Sequence, residues 1–289
     1  MPRIAVRPLL LMMAFSSLAL AQGTYAQFDV PGSVTTEGVG INTAGDIVGW
    51  YYDANYNWHG FLLSGGAYTT IDYPGATYTY LNGINDVGQI VGFHDYGDGF
   101  TYDIQAQTFT NLNDPHGTRT YAYCINNAGM VGGNSTYEGY GYSKGFFFNG
   151  STYANIAPEN SLHVNVTGIT ASGEVVGSIL GNVMYRYFKW STGKYEPLGI
   201  PTVGADEGAL NGVNPQGTAV VGYYKPSTQV TAGFLYQNEI LTTLEYPGAP
   251  KSTWAFGINS AGVVVGAFTD ANNVTQGYTW TPDAPANHK

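Results

Sequence analysis

An Asn-x-x-Gly motif recurs six times in this chain, with Thr replacing Asn once, and the residues shortly before it could do chemistry. Seven residues before the motif stand Thr35, Tyr78, Arg119, His163, Glu207 and Ser252, and five residues before it stand Glu37, Tyr80, Tyr121, Asn165, Ala209 and Trp254. Carboxylates, an imidazole and a guanidinium group are the groups that acid-base catalysis uses. Together, Glu37 and Glu207 would supply the two carboxyl groups that a glycoside hydrolase needs. The alternative is a set of solvated rim residues that vary because nothing constrains them.

The short motifs that usually accompany catalysis are absent from the sequence. There is no Gly-x-Ser-x-Gly, no His-Glu-x-x-His, no phosphate-binding glycine loop before a helix and no cysteine pair. The stretch Asp95–Gly99 resembles part of a calcium loop but lacks the further acidic ligands, so an acidic turn is the better interpretation. We therefore assign no catalytic residue, no metal and no cofactor.

Several loops combine aromatic rings with amides and carboxylates, as in "YYDANYNWHG", which contains Trp58 and His59. Similar loops are "NSTYEGYGYSKG" and "FTDANNVTQG". Aromatic rings stack on the C–H faces of sugars while polar groups bind the hydroxyl groups, so these loops favour a carbohydrate ligand. The competing interpretation is that the tyrosines are strand residues that pack inside the fold.

The elements that position these residues come from the repeat itself. The motif begins at Asn42, Asn85, Asn126, Thr170, Asn214 and Asn259, at intervals of 41 to 45 residues. Asn followed three residues later by Gly is typical of a type I turn between two strands. A recurring glycine ends the apolar run after each turn, at Gly49, Gly92, Gly132, Gly177, Gly222 and Gly266. A third strand such as 59–63 and a fourth such as 67–73 complete a unit of about 43 residues, which predicts the four-stranded blade of a β-propeller.

The two ends of the chain predict how the ring closes. The last repeat stops after its third strand, at 277–280, whereas the segment 24–32 aligns with the fourth strand of the first repeat. The N-terminal strand is therefore expected to complete the last blade of a six-bladed all-β propeller spanning 24–283. A solenoid or tandem sandwiches would not need this offset, since solenoids end in atypical capping repeats.

The repeat resembles the HAF family of bacterial extracellular repeat proteins, named for a His-Ala-Phe-like tripeptide in the third strand. The best copy is 59–61 (His-Gly-Phe), and drifted copies stand at 98–100, 144–146, 232–234 and 276–278. The fourth repeat, at 185–188, lacks the glycine and departs most from the pattern. The likeness covers about residues 24–283. It implies export and architecture, and it carries over no catalytic residue.

Composition and the N-terminus limit the range of partners. Residues 1–21 have the basic, apolar and small-residue regions of a secretory signal peptide, with cleavage expected after Ala21 and export to the periplasm or beyond. The alternative is an uncleaved anchor, although the apolar region is short for one. A net charge of −10 disfavours nucleic acid and anionic membranes as partners. Cys124 is the only cysteine, so no intrachain disulfide exists. We expect a monomer without membrane insertion, and a flexible tail at 284–289.

These observations favour an exported, non-catalytic binding module for polysaccharide or another cell-surface ligand. A glycoside hydrolase or lyase that uses carboxylates at the channel mouth is the alternative. The candidate ligand-binding residues at the channel mouth are Glu37, Trp58, His59, Tyr78, Tyr80, Arg119, Tyr121, His163, Glu207 and Trp254.

Overall fold

The computed structural model describes residues 19–20, 22–137, 140–158, 161–180, 185–191, 193–201, 207–225 and 230–283. Within these ranges the chain forms strands β1 to β25 and no helix. The first half contains β1 (Ala19–Leu20), β2 (Gly23–Phe28), β3 (Thr35–Ile41), β4 (Ile47–Tyr52), β5 (Trp58–Ser64), β6 (Ala67–Thr70), β7 (Thr79–Ile84), β8 (Gln89–His94), β9 (Asp98–Asp103), β10 (Thr108–Asn111), β11 (Arg119–Ile125), β12 (Val131–Tyr137), β13 (Tyr140–Phe148) and β14 (Tyr153–Ile156). The second half contains β15 (His163–Ile169), β16 (Val175–Leu180), β17 (Tyr185–Ser191), β18 (Lys194–Pro197), β19 (Glu207–Val213), β20 (Ala219–Lys225), β21 (Ala232–Gln237), β22 (Ile240–Leu244), β23 (Ser252–Ile258), β24 (Val264–Thr269) and β25 (Thr275–Pro282).

The strands form an all-β β-propeller built from antiparallel groups of four. Three sheets have four strands, namely β3 to β6, β7 to β10, and β23 to β25 with β2. A fourth sheet contains β19 to β22 with β1 added in parallel. The fifth has eight strands, β11 to β18, in which two groups of four are joined by one parallel pair, Ser143 with His163. The hydrogen-bonded sheets thus number five, and this count does not confirm the predicted six blades.

The predicted pairing of the chain ends is confirmed. Strand β2 runs antiparallel to β25, with partners from Gly23 and Pro282 at one end to Phe28 and Gly277 at the other. The same sheet continues through β24 to β23, so the N-terminal strand is the fourth strand of the last repeat. This pairing joins the two ends of the ring and covers the edge of β25 that would otherwise be exposed.

The Asn-x-x-Gly motif forms the predicted turns and also links successive repeats. In the first turn, the Asn42 side-chain oxygen accepts the Asp46 backbone N–H at 2.9 Å. The side-chain amides of the buried Asn85 and Asn126 each donate to the backbone carbonyl of the next motif residue, both at 3.0 Å. The amide of Asn259 donates to the carbonyl of Asn42, also at 3.0 Å, which connects the last repeat to the first.

The core consists of apolar clusters that lie between neighbouring repeats. Val48 and Leu62 of the first repeat, for example, pack with Leu81 and Phe100 of the second. Among the described residues there are six such clusters, and one of them combines Val265 of the last repeat with Phe61 of the first. Burial of the third-strand aromatic ring therefore explains the recurring Gly-Phe pair.

The fourth repeat, which lacks the third-strand glycine, keeps the buried ring by a compensating exchange. Phe188 pairs with Gly177, the same register that Phe61 has with Gly49, and Phe188 is fully buried. Tyr187 takes the place of the missing glycine. A Cβ added at Gly208 of the next repeat would overlap the Tyr187 hydroxyl, so Gly208 supplies the room for this ring.

Two sequence predictions lie largely outside the described residues. The leader predicted over 1–21 is described only at Ala19–Leu20, where β1 pairs in parallel with Thr242 and Thr243 of β22. The tail predicted over 284–289 is not among the described ranges.

Candidate functional site

A β-bulge in each innermost strand aims one side chain per repeat at the channel. In β3 the partners change from Gly38 with Gly49 to Gly40 with Val48, which leaves Val39 as the extra residue. The same irregularity occurs in β7, β11, β15, β19 and β23. The six extra residues, here called the bulge ring, are Val39, Asn82, Tyr123, Thr167, Asn211 and Phe256. Bulges commonly re-aim side chains in this way.

The recurring glycine after each turn is needed where the second strand approaches the bulged one. A Cβ at Gly49 would overlap the backbone carbonyl oxygen of Glu37, and a Cβ at Gly133 would overlap that of Tyr121. The equivalent glycine of the third repeat is therefore Gly133, and the predicted Gly132 is wrong by one position. The sequence alignment failed there because two glycines are adjacent.

The bulge ring surrounds a cavity of about 300 Å³ in the channel. Its wall consists of the last three residues of the inner strands of all six repeats, together with Pro215, Glu37 and Trp50. A volume of this size suits a small ligand or one unit of a larger ligand. The bulge ring was not predicted from the sequence, because a bulge shows only in the pairing of two strands. The available signal was a position that varies between repeats and is followed by two nearly constant residues.

The polar members of the bulge ring hold neighbouring repeats together. The Asn82 amide donates to the carbonyl of Ala122, and the Asn211 amide donates to the carbonyl of Ala255, both at 2.9 Å. The Thr167 hydroxyl donates to the carbonyl of Leu210. Each of these side chains therefore already makes one hydrogen bond to a neighbouring repeat, and its first role is structural.

Aromatic rings from the first three repeats form a continuous strip that reaches the cavity at Trp50, and we call this side of the cavity its mouth. We call it the aromatic wall, and its members are Trp50, Tyr52, Trp58, Tyr80, Phe93 and Tyr121. Successive ring centroids lie 4.0 Å (Tyr52 to Trp58), 4.9 Å (Trp58 to Trp50), 5.8 Å (Trp50 to Tyr80), 4.6 Å (Tyr80 to Phe93) and 4.9 Å (Phe93 to Tyr121) apart. The wall thus joins the predicted Trp58, Tyr80 and Tyr121 with Tyr52 of the quoted loop and with Trp50 and Phe93, which the sequence did not single out.

The predicted Tyr78 and Arg119 lie next to this wall, around an exposed loop. Tyr96 at the tip of that loop is 73% exposed. The Arg119 guanidinium lies 5.8 Å from the Tyr96 ring centroid, and the Tyr121 hydroxyl donates to the Tyr96 carbonyl at 3.2 Å. The Tyr78 ring contacts the rings of both Tyr80 and Tyr96. The structure therefore groups four predicted residues at one side of the mouth.

Glu37 contributes a carboxylate to the cavity wall. Burial raises the pKa of Glu37 from 4.5 to about 7. Its charge in turn helps to raise the pKa of Tyr52 and of Tyr80, for both of which burial is the larger cause. Within the described part of the chain, the Glu37 carboxylate has no hydrogen-bond or ion-pair partner. It is a desolvated acid that faces the cavity.

His59 is held on a different surface of the blade from Trp58, its neighbour on β5. Its Nδ1 atom lies 2.7 Å from Asp72 Oδ2, its Nε2 atom lies 3.7 Å from Asp53 Oδ2, and its ring stacks on Tyr51. Hydrogen bonds, first from the Asn57 side chain, lower the pKa of Asp53 to about 2. His59 is thus engaged by two carboxylates and does not join the aromatic wall.

The remaining predicted residues are not gathered with Glu37. His163 Nδ1 accepts from the Ser143 backbone N–H at 3.3 Å, beside the single bridge in the eight-stranded sheet. Trp254 is partly buried on β23, and no ring pair with it occurs among the described residues. Glu207 pairs through its backbone with Lys225. The Glu207 side chain lies outside the described atoms, so its pairing with Glu37 stays a prediction.

The described residues contain no group of three or more His, Cys, Asp or Glu side chains that could hold a metal ion. In the same ranges no helix is long and apolar enough to span a bilayer.

Comparison with solved structures shows a shared fold. The chain is similar to a protein provisionally described as a gluconolactonase, with a TM-score of 0.57, 12% identity and coverage of 91% of this chain and 93% of that one. TolB from Acinetobacter baumannii gives a TM-score of 0.56 and 10% identity over 88% of this chain and 68% of TolB. A mutant Aleuria aurantia lectin in complex with alpha-methyl-L-fucoside gives 0.52 and 12% identity over 91% of this chain and 99% of the lectin. No family model and no curated protein matched the chain.

Proposed function

We propose that this protein is an exported, non-catalytic β-propeller that binds carbohydrate at the aromatic wall and the adjoining cavity. The observation that carries the proposal is the unbroken line of six rings from Tyr52 to Tyr121 beside the cavity. Rings arranged in this way offer stacking surfaces for sugar faces at little entropic cost. Similarity in fold to a lectin that holds a fucoside is consistent with this use of a propeller.

We also infer that the ring has six blades. Six apolar clusters lie between consecutive repeats, and six bulged strands contribute to one cavity wall. The eight-stranded sheet supports this count, because a single residue pair joins its two halves. Export and membership of the HAF-repeat family remain parts of this proposal, supported by the N-terminal sequence and by the repeat pattern.

The binding proposal is tested with a panel of insoluble polysaccharides in a pull-down assay. We expect at least one polysaccharide to retain the protein, and we expect Trp58→Ala to weaken retention about fivefold, the equivalent of about 1 kcal/mol. Tyr195→Ala is the matched control, since Tyr195 is an exposed ring on the outer strand β18. Equal losses for the two variants, or no retention by any polysaccharide, would count against the proposal.

A second candidate function is glycoside hydrolysis or cleavage by a lyase. The observation that favours it is the raised pKa of Glu37, which is typical of a general acid. Such an enzyme also needs a second carboxyl group at a fixed distance, for which Glu207 is the candidate. The test is release of reducing ends from the retained polysaccharide, which Glu37→Gln and Glu207→Gln should each abolish. Absence of any release by the unmodified protein would exclude this function for that substrate.

A further inference from the structure

The described lining of the cavity carries one acidic side chain and no basic one. Among the described residues that line the cavity, Glu37 is the only one with an ionisable acid or base other than Tyr123 and Cys124. No described Lys or Arg residue lines the cavity. Arg119 lies against Tyr96, Lys144 lies over Tyr137, and Lys189 pairs with two glutamates, for example. Within the described part of the chain, the Glu37 carboxyl group is therefore a desolvated acid with no cationic partner, in a space open to a ligand.

The surroundings of this carboxylate favour a positive charge for a second, independent reason. Trp50 pairs with Glu37 across β3 and β4 and lines the same cavity, and Tyr52 and Tyr80 are close enough for their ionisation to be affected by Glu37. The faces of aromatic rings carry negative potential and attract cations, most strongly for tryptophan. A chain with a net charge of −10 further raises the local concentration of cationic ligands.

We propose that the ligand is a carbohydrate that carries a protonated amine, with the ammonium group held by Glu37 beside the rings of Trp50, Tyr52 and Tyr80. The inference rests on the proposed carbohydrate-binding function and specifies its substrate class as glycans that contain free amino sugars. A neutral or N-acetylated sugar would leave the carboxylate desolvated and unpaired, which is unfavourable. An ammonium group restores a charge-assisted hydrogen bond to it.

The test compares oligomers of equal length by isothermal titration calorimetry: glucosamine oligomers, N-acetylglucosamine oligomers and cello-oligosaccharides. We expect the glucosamine oligomer to bind at least tenfold more tightly than the other two. Glu37→Gln should remove this preference, because the glucosamine oligomer loses its charged partner while the acetylated and neutral oligomers no longer face an unpaired carboxylate. Glu239→Gln is the charge-matched control, because Glu239 is exposed in the turn between β21 and β22, and its preference should match that of the unmodified protein.

The outcomes separate this inference from the proposed function. Equal affinity of the unmodified protein for all three oligomers would overturn the amine inference and leave carbohydrate binding intact. A loss on Glu37→Gln that is the same for all three would assign Glu37 a structural role and overturn the inference as well. If none of the oligomers and none of the polysaccharides binds, both proposals fail. The comparison among ligands uses the unmodified protein, so it decides the matter even if a variant folds poorly.

Discussion

Replacement of Glu37 by Gln should stabilise this protein above about pH 5, with an effect that grows until about pH 7 and is small at pH 4. The pKa of Glu37 is raised in the folded protein from 4.5 to about 7 because burial disfavours the charged carboxylate. Between these two values the unfolded chain has lost the proton and the folded chain still holds it. The folded state thus binds more protons, and its stability falls as the pH rises through this window. Gln cannot ionise, so the variant lacks this loss.

The size of the effect follows from the same two pKa values. One pKa unit corresponds to about 1.4 kcal/mol, so the full difference is worth about 3 kcal/mol at pH 8. Solvent in the cavity screens part of this penalty, which makes 3 kcal/mol an upper value. At pH 4 the Glu37 carboxyl group is mostly protonated in the folded and in the unfolded protein. The Gln variant and the unmodified protein should therefore unfold with nearly equal free energies.

Equilibrium urea unfolding followed by circular dichroism at pH 4, 6 and 8 measures these free energies. The general rise in repulsion among acidic groups affects both proteins equally and cancels in their difference. Glu239→Gln, which removes an exposed charge, should show little pH-dependent difference. A difference for Glu37→Gln that does not change with pH, or a variant less stable than the unmodified protein at pH 8, would refute the desolvated carboxylate and with it the amine inference.

Three further predictions concern the scaffold and the mouth. Asn259→Thr keeps an acceptor for the turn but removes the donor to the Asn42 carbonyl, so the free energy of unfolding in urea should fall by about 1–2 kcal/mol. The same change at Asn214, the motif residue of the fifth repeat, should cost less if the contact that closes the ring matters. Tyr56→Asn should raise the melting temperature slightly, because Tyr56 has a φ of 63°, a left-handed conformation that suits Asn better; the equivalent residue of the last repeat, Asn273, has a φ of 64°. The same change should weaken polysaccharide retention, because it removes an exposed aromatic ring. An unchanged retention would deny Tyr56 a role in binding. Gly49→Ala should lower the free energy of unfolding by more than 2 kcal/mol, since its Cβ meets a backbone carbonyl, and a smaller loss would show that the inner strands can separate there.

The sequence predicts local structure well wherever one residue type has one conformational task. The Asn-x-x-Gly turns, the buried rings of the Gly-Phe pairs and the pairing of β2 with β25 all follow from spacing and residue type. For the turns and the Gly-Phe pairs, the residues that identify the structure lie within about ten residues of those that form it. The pairing of β2 with β25 follows from aligning one repeat with another.

The site was harder to predict because it depends on register and on contacts between repeats. Glu37 and Tyr80 were found because they stand in a column that varies between repeats. Trp50 was missed and Tyr52 was found only as part of a loop, since both belong to the second strand and reach the wall through their register with β3 and β5. His59 was predicted for the mouth together with Trp58, as part of the loop "YYDANYNWHG", although successive residues of a strand face opposite sides.

The closing strand and the proposed binding site are parts of one packing unit. The Phe28 ring of β2 lies against Gly38, the residue next to Glu37, and it packs with Val265 of the last repeat and Phe61 of the first. A side chain at position 38 would collide with that ring, so the strand that carries Glu37 is held by the strand that closes the propeller. The other end of β3 leads into the turn that accepts the amide of Asn259. Both ends of the strand that carries Glu37 are therefore held by contacts that form only in the closed ring. An isolated first repeat would keep Glu37 and its neighbouring rings but would lose their geometry.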